Sequence, residues 1–188
     1  MTLKDFLFNF KHAIFAGACI SFGGTAYLKS CAAFPEIGGF IGAVLFSFGL
    51  IVVVHNKHVL YTGTAGFVTK DTWQMIPISI IGNLVGCVLF GLIMRYVAPS
   101  LTDVADGIIN TRLTNGLFKN CLLAILCGFI MTEAVYHSKF NGERYLPLVF
   151  GVPLFIVCGF AHSIADIFYY AMGSAELLAE NIGQIFCI

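Results

Sequence analysis

The chain has 188 residues, 59% hydrophobic and only 11% charged, with a mean hydropathy of +0.90. A soluble domain of this size carries about 25% charged residues, so the composition excludes a soluble globule and reads as an integral membrane protein. The formal net charge is zero, which leaves no basic surface for nucleic acid.

The N-terminal stretch, residues 1–12, has Leu3, Phe6, Leu7 and Phe10 at helical spacing. It reads as a short interfacial helix, because an acid and aromatics stand where a signal peptide has its basic region. His12 to Ser30 makes a first span, with Ala16, Gly17, Ala18, Gly23 and Gly24 suited to close helix contact in lipid. Ile37 to Gly66 is about 30 residues, longer than the ~20 a single span needs, and His55, Asn56, Lys57 and His58 interrupt it. Trp73 to Val97 is a third span, Leu101 to Asn110 a polar loop, and Leu113 to Ser138 a fourth span with Glu133 near its end. Lys139 to Arg144 reads as a polar turn. Tyr145 to Gly173 is again about 30 residues, interrupted from Gly159 to Asp166, and Ser174 to Ile188 is left as a short sixth segment. Seven cysteines with no Cys-x-x-Cys pair read as small hydrophobes. The Lys and Arg bias between the two sides is too small to set orientation.

The over-long, interrupted segments are the second and the fifth, one in each half of a three-plus-three plan. Broken helices at matching positions mark a midplane site in inverted-repeat transporters, and irregular backbone is tolerated at membrane depth only where it is buried in protein or lines a cavity. His162 and Asp166 lie at the second break, one helical turn apart. Ionisable groups in a membrane are mostly functional, but a structural histidine is the alternative, as is an aspartate that caps the half-helix. His55 and His58 lack a third ligand within reach, so no metal site is read. Ser163 beside His162 has no Gly-x-Ser-x-Gly elbow around it.

Three stretches resemble one family. GFAHSIADIF, from Gly159, resembles the fifth-helix signature of the formate/nitrite transporter family. FSFGLIVVVHNKHVLYTGT, Phe46 to Thr64, resembles its second helix and loop, and IIGNLVGCVLFGL its Gly-Asn-x-x-Gly third helix. The resemblance is collinear from about Ala13 to Gly173. It implies an all-α integral membrane protein: an aquaporin-like inverted repeat with broken second and fifth helices, forming one transmembrane channel domain over residues 1–188. It further implies a homopentamer with a pore in each subunit, a multi-pass place in the bacterial inner (cytoplasmic) membrane, no cofactor, and passage of small monovalent anions such as formate, nitrite or hydrosulfide.

By the same resemblance, His162 is the central pore histidine, Thr62 faces it, and Arg112 stands where a lysine heads the fourth helix. Phe46, Leu50, Leu60 and Phe155 form apolar constrictions on either side. Four positions depart from the pattern: Ala161 replaces an acid, Asp166 and Gly128 replace asparagines, and Lys57 replaces a glycine. The mechanism expected is entry of the anion past Arg112, contact with Thr62 and His162, and passage of the apolar rings as the protonated acid or through proton exchange at His162. Lys57 and Asp166 are expected as partners joining the two broken helices. Two other classes stay open at this point: a membrane-embedded hydrolase using His162 and Asp166, and a non-conducting subunit.

Overall fold

The structure is a computed structural model, and it describes residues 1–140, 145–181 and 183. The 141–144 part of the expected polar turn, and residue 182 with residues 184–188 of the sixth segment, lie outside the described residues. The described elements are all helical: α1 (Leu3–Ala33), α2 (Gly38–His55), α3 (Tyr61–Thr64), α4 (Met75–Val97), α5 (Thr102–Phe140), α6 (Leu146–Val157), α7 (Ser163–Met172) and α8 (Ala175–Glu180). Short 3-10 turns cover Ala65–Phe67 and Pro99–Leu101.

Thr2 starts α1 through a capping box. Its Oγ1 accepts the Asp5 N–H at 3.2 Å, and Asp5 Oδ2 accepts the Thr2 N–H at 3.0 Å. The helix then runs unbroken to Ala33, so the stretch expected as a separate interfacial helix is continuous with the first span. Small residues set how closely its neighbours approach. A Cβ at Gly17 would meet the backbone of Asn83, one at Gly86 the Ile14 carbonyl, and one at Gly49 the Cys19 carbonyl. These contacts pull α4 and α2 onto α1 at backbone distance, the packing mode of helices that gain no hydrophobic driving force in lipid.

Both long segments are broken, and by the same backbone device. After α2, Asn56 N–H donates to Val52 O, Lys57 N–H to Val54 O and His58 N–H to Val53 O. After α6, Cys158 N–H donates to Leu154 O, Gly159 N–H to Ile156 O and Phe160 N–H to Phe155 O. The two sets match position for position. The central residue of each is left-handed, Lys57 at φ 55° and Gly159 at φ 71°, as in a Schellman helix end. Each chain then turns extended, at Leu60 and His162, and restarts as α3 and α7. This pairing of breaks is what the inverted-repeat reading requires.

A second expectation fails as well. Residues 101–110 are not a loop: Thr102 opens α5 after a 3-10 turn. Leu101, Ala105, Ile109 and Arg112 form a buried stripe at helical spacing, flanked by the half-buried Val104 and Ile108, but Asp103, Asn110 and Thr111 on the open face make the segment look polar. Gly116 (φ 69°, ψ 173°) interrupts α5 before the apolar fourth span begins. Asn120 bridges that kink, its Nδ2 donating to Arg112 O at 2.7 Å. Glu133 does sit towards the end of α5, paired with His137 at 3.7 Å and half-exposed.

Phe46, Leu50, Met131, Leu148, Phe155 and Phe168 are buried in one core. The outer faces carry Phe22, Phe48, Leu89, Ile125, Phe129 and Phe150, each exposed by more than half. Four helical stretches are long and apolar enough to cross a membrane: Leu3–Ala33, Gly38–His55, Met75–Val97 and Pro99–Phe140. With an apolar exterior around a core that holds its polar groups, the chain is an integral membrane protein.

Candidate functional site: the junction of the two breaks

His162 closes the second break. It is 2% exposed and serves as the N-cap of α7, its Nδ1 accepting the Ala165 N–H at 3.1 Å. A nitrogen that accepts is not protonated, so the neutral imidazole carries its proton on Nε2. Nε2 lies 3.2 Å from Thr62 Oγ1, and in this tautomer it donates to the threonine. The hydroxyl proton of Thr62 is then left to donate elsewhere. The cap role considered for Asp166 therefore belongs to His162, and the histidine joins the two half-helices through a threonine 100 residues away.

Aromatic and leucyl side chains enclose this contact. The Phe155 ring stacks on His162 with centroids 5.3 Å apart and meets Phe46 edge-on at 6.3 Å. Leu50 and Leu60 are 1% and 2% exposed. Two cavities open on either side. The wider, about 640 Å³, is lined by Leu50, Leu60, His55, Lys57, His58 and Lys139 among others. The narrower, about 210 Å³, is lined by Phe46, Phe155, His162, Arg112 and Asp166 among others. The two share no lining residue. Of the four residues expected as constrictions, Leu50 and Leu60 line the wider cavity and Phe46 and Phe155 the narrower.

The charged residues fall differently from expectation. Asp166 does not pair with Lys57. Its Oδ2 accepts from Arg112 Nε at 3.1 Å, both side chains being nearly buried. Lys57 is exposed and lines the other cavity. Pairing required the two breaks to present these side chains to one space, and the chain presents them to two. Arg112 is also not an open collector of anions. Its Nη1 donates to Gly159 O at 3.3 Å and its Nη2 to Phe160 O at 3.2 Å, so it fastens the second break. The first break is fastened by Asn83, buried in α4. Its Oδ1 accepts the Tyr61 N–H at 2.8 Å, and its Nδ2 donates to Ala13 O at 2.8 Å and Val59 O at 2.9 Å. Asn83 was visible as an amide inside an apolar run, but nothing in one dimension says which carbonyls it reaches. His58 Nδ1 meets His12 Nδ1 at 3.0 Å and His55 Nδ1 meets the Tyr145 hydroxyl at 3.1 Å. Among the described residues no three His, Cys, Asp or Glu side chains gather as a metal site would require.

Two half-helices meeting at a buried histidine between two cavities define a membrane protein of the transporter and channel class. The sequence profile of the formate/nitrite transporter family matches residues 4–186, and the chain belongs to that family. It is 28% identical to the formate channel FocA of Haemophilus influenzae over 189 residues, 88% of this chain and 66% of that one. It is likewise 28% identical to the formate channel FocA of Escherichia coli over 193 residues, 90% of this chain and 67% of that one. The chain thus spans about two thirds of the length of these relatives. A solved structure, a pentameric formate channel with formate bound, superposes with a TM-score of 0.82 at 23% identity, covering 92% of this chain and 76% of that one. The likeness establishes the all-helical fold. These are transport proteins, and the hydrolase reading is set aside.

Proposed function

We propose that this chain passes small monovalent anions and their conjugate acids, formate first, through a pore in each subunit of a homopentamer in a bacterial cytoplasmic membrane. The observation that carries the reading is the His162–Thr62 contact, buried between two cavities and bounded by Leu50 and Leu60 on one side and Phe46 and Phe155 on the other. The formate channels among its relatives support formate as the first substrate to test, and the pentameric neighbour supports the assembly.

A bare anion at the bilayer centre costs several kcal/mol at least, and its neutral acid far less. Lys57 and Lys139, with His55 and His58, give the wide cavity a basic lining that gathers the anion. At the junction, Nε2–H of His162 and the hydroxyl of Thr62 offer hydrogen bonds that replace lost water. Proton exchange at His162 has a geometric condition. A proton added at Nδ1 would oppose the Ala165 N–H and release the α7 cap, so exchange is coupled to the start of that half-helix. The neutral-acid route leaves the cap intact and is the one the geometry favours.

The test is flux of formate, nitrite, hydrosulfide and acetate into liposomes holding the purified protein, at two pH values. His162→Ala is expected to reduce flux at least tenfold and to change its pH dependence. His162→Asn, which retains an acceptor for the Ala165 N–H, should keep the fold and still lose the flux. Unchanged flux and pH dependence in both variants would overturn the role of His162, and no flux of any of these species in the wild type would overturn the reading.

A further inference from the structure

The two cavities differ in charge. Among the described residues no carboxylate lines the wide one, whereas the narrow one holds Arg112 and Asp166 together. Arg112 is 9% exposed and each of its three nitrogens already donates to a protein acceptor. Asp166 is 9% exposed as well, and only its Oδ2 is bonded. Its Oδ1 is buried without a hydrogen-bond partner among the described residues. The positive charge of the arginine is therefore cancelled in place. The other polar groups around Asp166 are Tyr27 from α1, Thr111 and Cys127 from α5, the neutral His162 that caps α7, and Tyr169 and Tyr170 from α7. Among these described neighbours Arg112 is the one cation.

We infer that Asp166 is a specificity-determining residue that makes the narrow cavity a charge filter, open to the neutral acid and closed to the bare anion. This rests on the passage reading above and deepens it. An anion leaving the junction past Phe46 and Phe155 meets a low-dielectric wall and an ion pair of no net charge, in which Asp166 cancels the attraction Arg112 alone would exert. With no uncancelled positive charge there, nothing offsets the several kcal/mol that a bare anion loses on leaving water. The protonated acid carries no charge and meets no such barrier. The wide basic cavity gathers anions, and the narrow one passes only what has taken up a proton.

The experiment measures how far flux follows an imposed membrane potential. Liposomes with the full chain and little internal potassium are placed in potassium medium with a potassium ionophore, so that the inside becomes positive, and are given formate outside at one fixed pH. The wild type is expected to take up formate at a rate that does not depend on the potential. Asp166→Asn retains an acceptor for Arg112 Nε but leaves the arginine charge uncancelled, so the potential-driven share of uptake should rise about tenfold or more. Arg112→Gln combined with Asp166→Asn restores a neutral wall and should return uptake to potential independence, which a purely structural role for the pair would not do. Potential-driven uptake already in the wild type overturns the inference without any variant. Potential-independent uptake in Asp166→Asn protein that elutes as the wild type does also overturns it. In both cases the passage reading stands. Absence of flux for every acid tested overturns the passage reading and this inference with it.

Discussion

The break at 56–60 and the break at 158–162 share a backbone and differ in nearly everything attached to it. The hydrogen-bond offsets are the same, the left-handed residue falls at the same place, and a residue in extended conformation restarts the helix in each. The first break puts Lys57 at the left-handed position and Leu60 at the restart, and a neutral amide, Asn83, holds it. The second puts Gly159 and His162 there, and a charged guanidinium holds it. Hydrogen bonding alone dictates the shape of a helix end, so two unrelated sequences can reach it. The chemistry sits in the side chains, which is why one break faces a wide basic cavity and the other a narrow neutral one.

Thermal unfolding in detergent, read on single substitutions at the two breaks, tests how different they are. The largest effect is expected at Arg112→Met, which removes three donors and leaves Asp166 buried without its counter-charge. Breaking a buried pair from one side costs about 3–5 kcal/mol. Asn83→Leu should cost less, about 2–4 kcal/mol, because the groups it strands are neutral. Equal losses at the two positions would show that the charged anchor is no stronger than the neutral one.

Smaller effects probe the backbone itself. Nothing stands near a Cβ built at Gly159, so Gly159→Ala isolates the left-handed conformation and should cost about 1–2 kcal/mol. Lys57→Gly is the mirror of that change. It should stabilise by at most about 1 kcal/mol, since relief of the left-handed lysine is partly offset by the greater freedom of glycine in the unfolded chain. If Lys57→Gly destabilises, the two breaks are not equivalent in conformation.

Much of this architecture was legible in one dimension. The segments at 37–66 and 145–173 are too long for one span and too short for two, so a break in each followed from the ~30 Å thickness of the hydrocarbon layer. His162 stood out because ionisable groups are expensive there. The helix at 102–115 escaped notice because Asp103, Asp106, Asn110 and Thr111 fall between its apolar residues in the chain. The place of Thr62 opposite His162 came from resemblance to a family, not from any local pattern.

Composition, segment length and the cost of polar groups in lipid therefore determine the class and the number of breaks, because each is a property of a local stretch against a known solvent. Which charges meet is a different matter. Asp166 had three candidate roles on paper: cap, partner of Lys57, or pore residue. Only the packing of α5 against the second break, 54 residues away in the chain, gave it Arg112. Pairing depends on which side chains share a cavity, and only the tertiary fold divides the space into two.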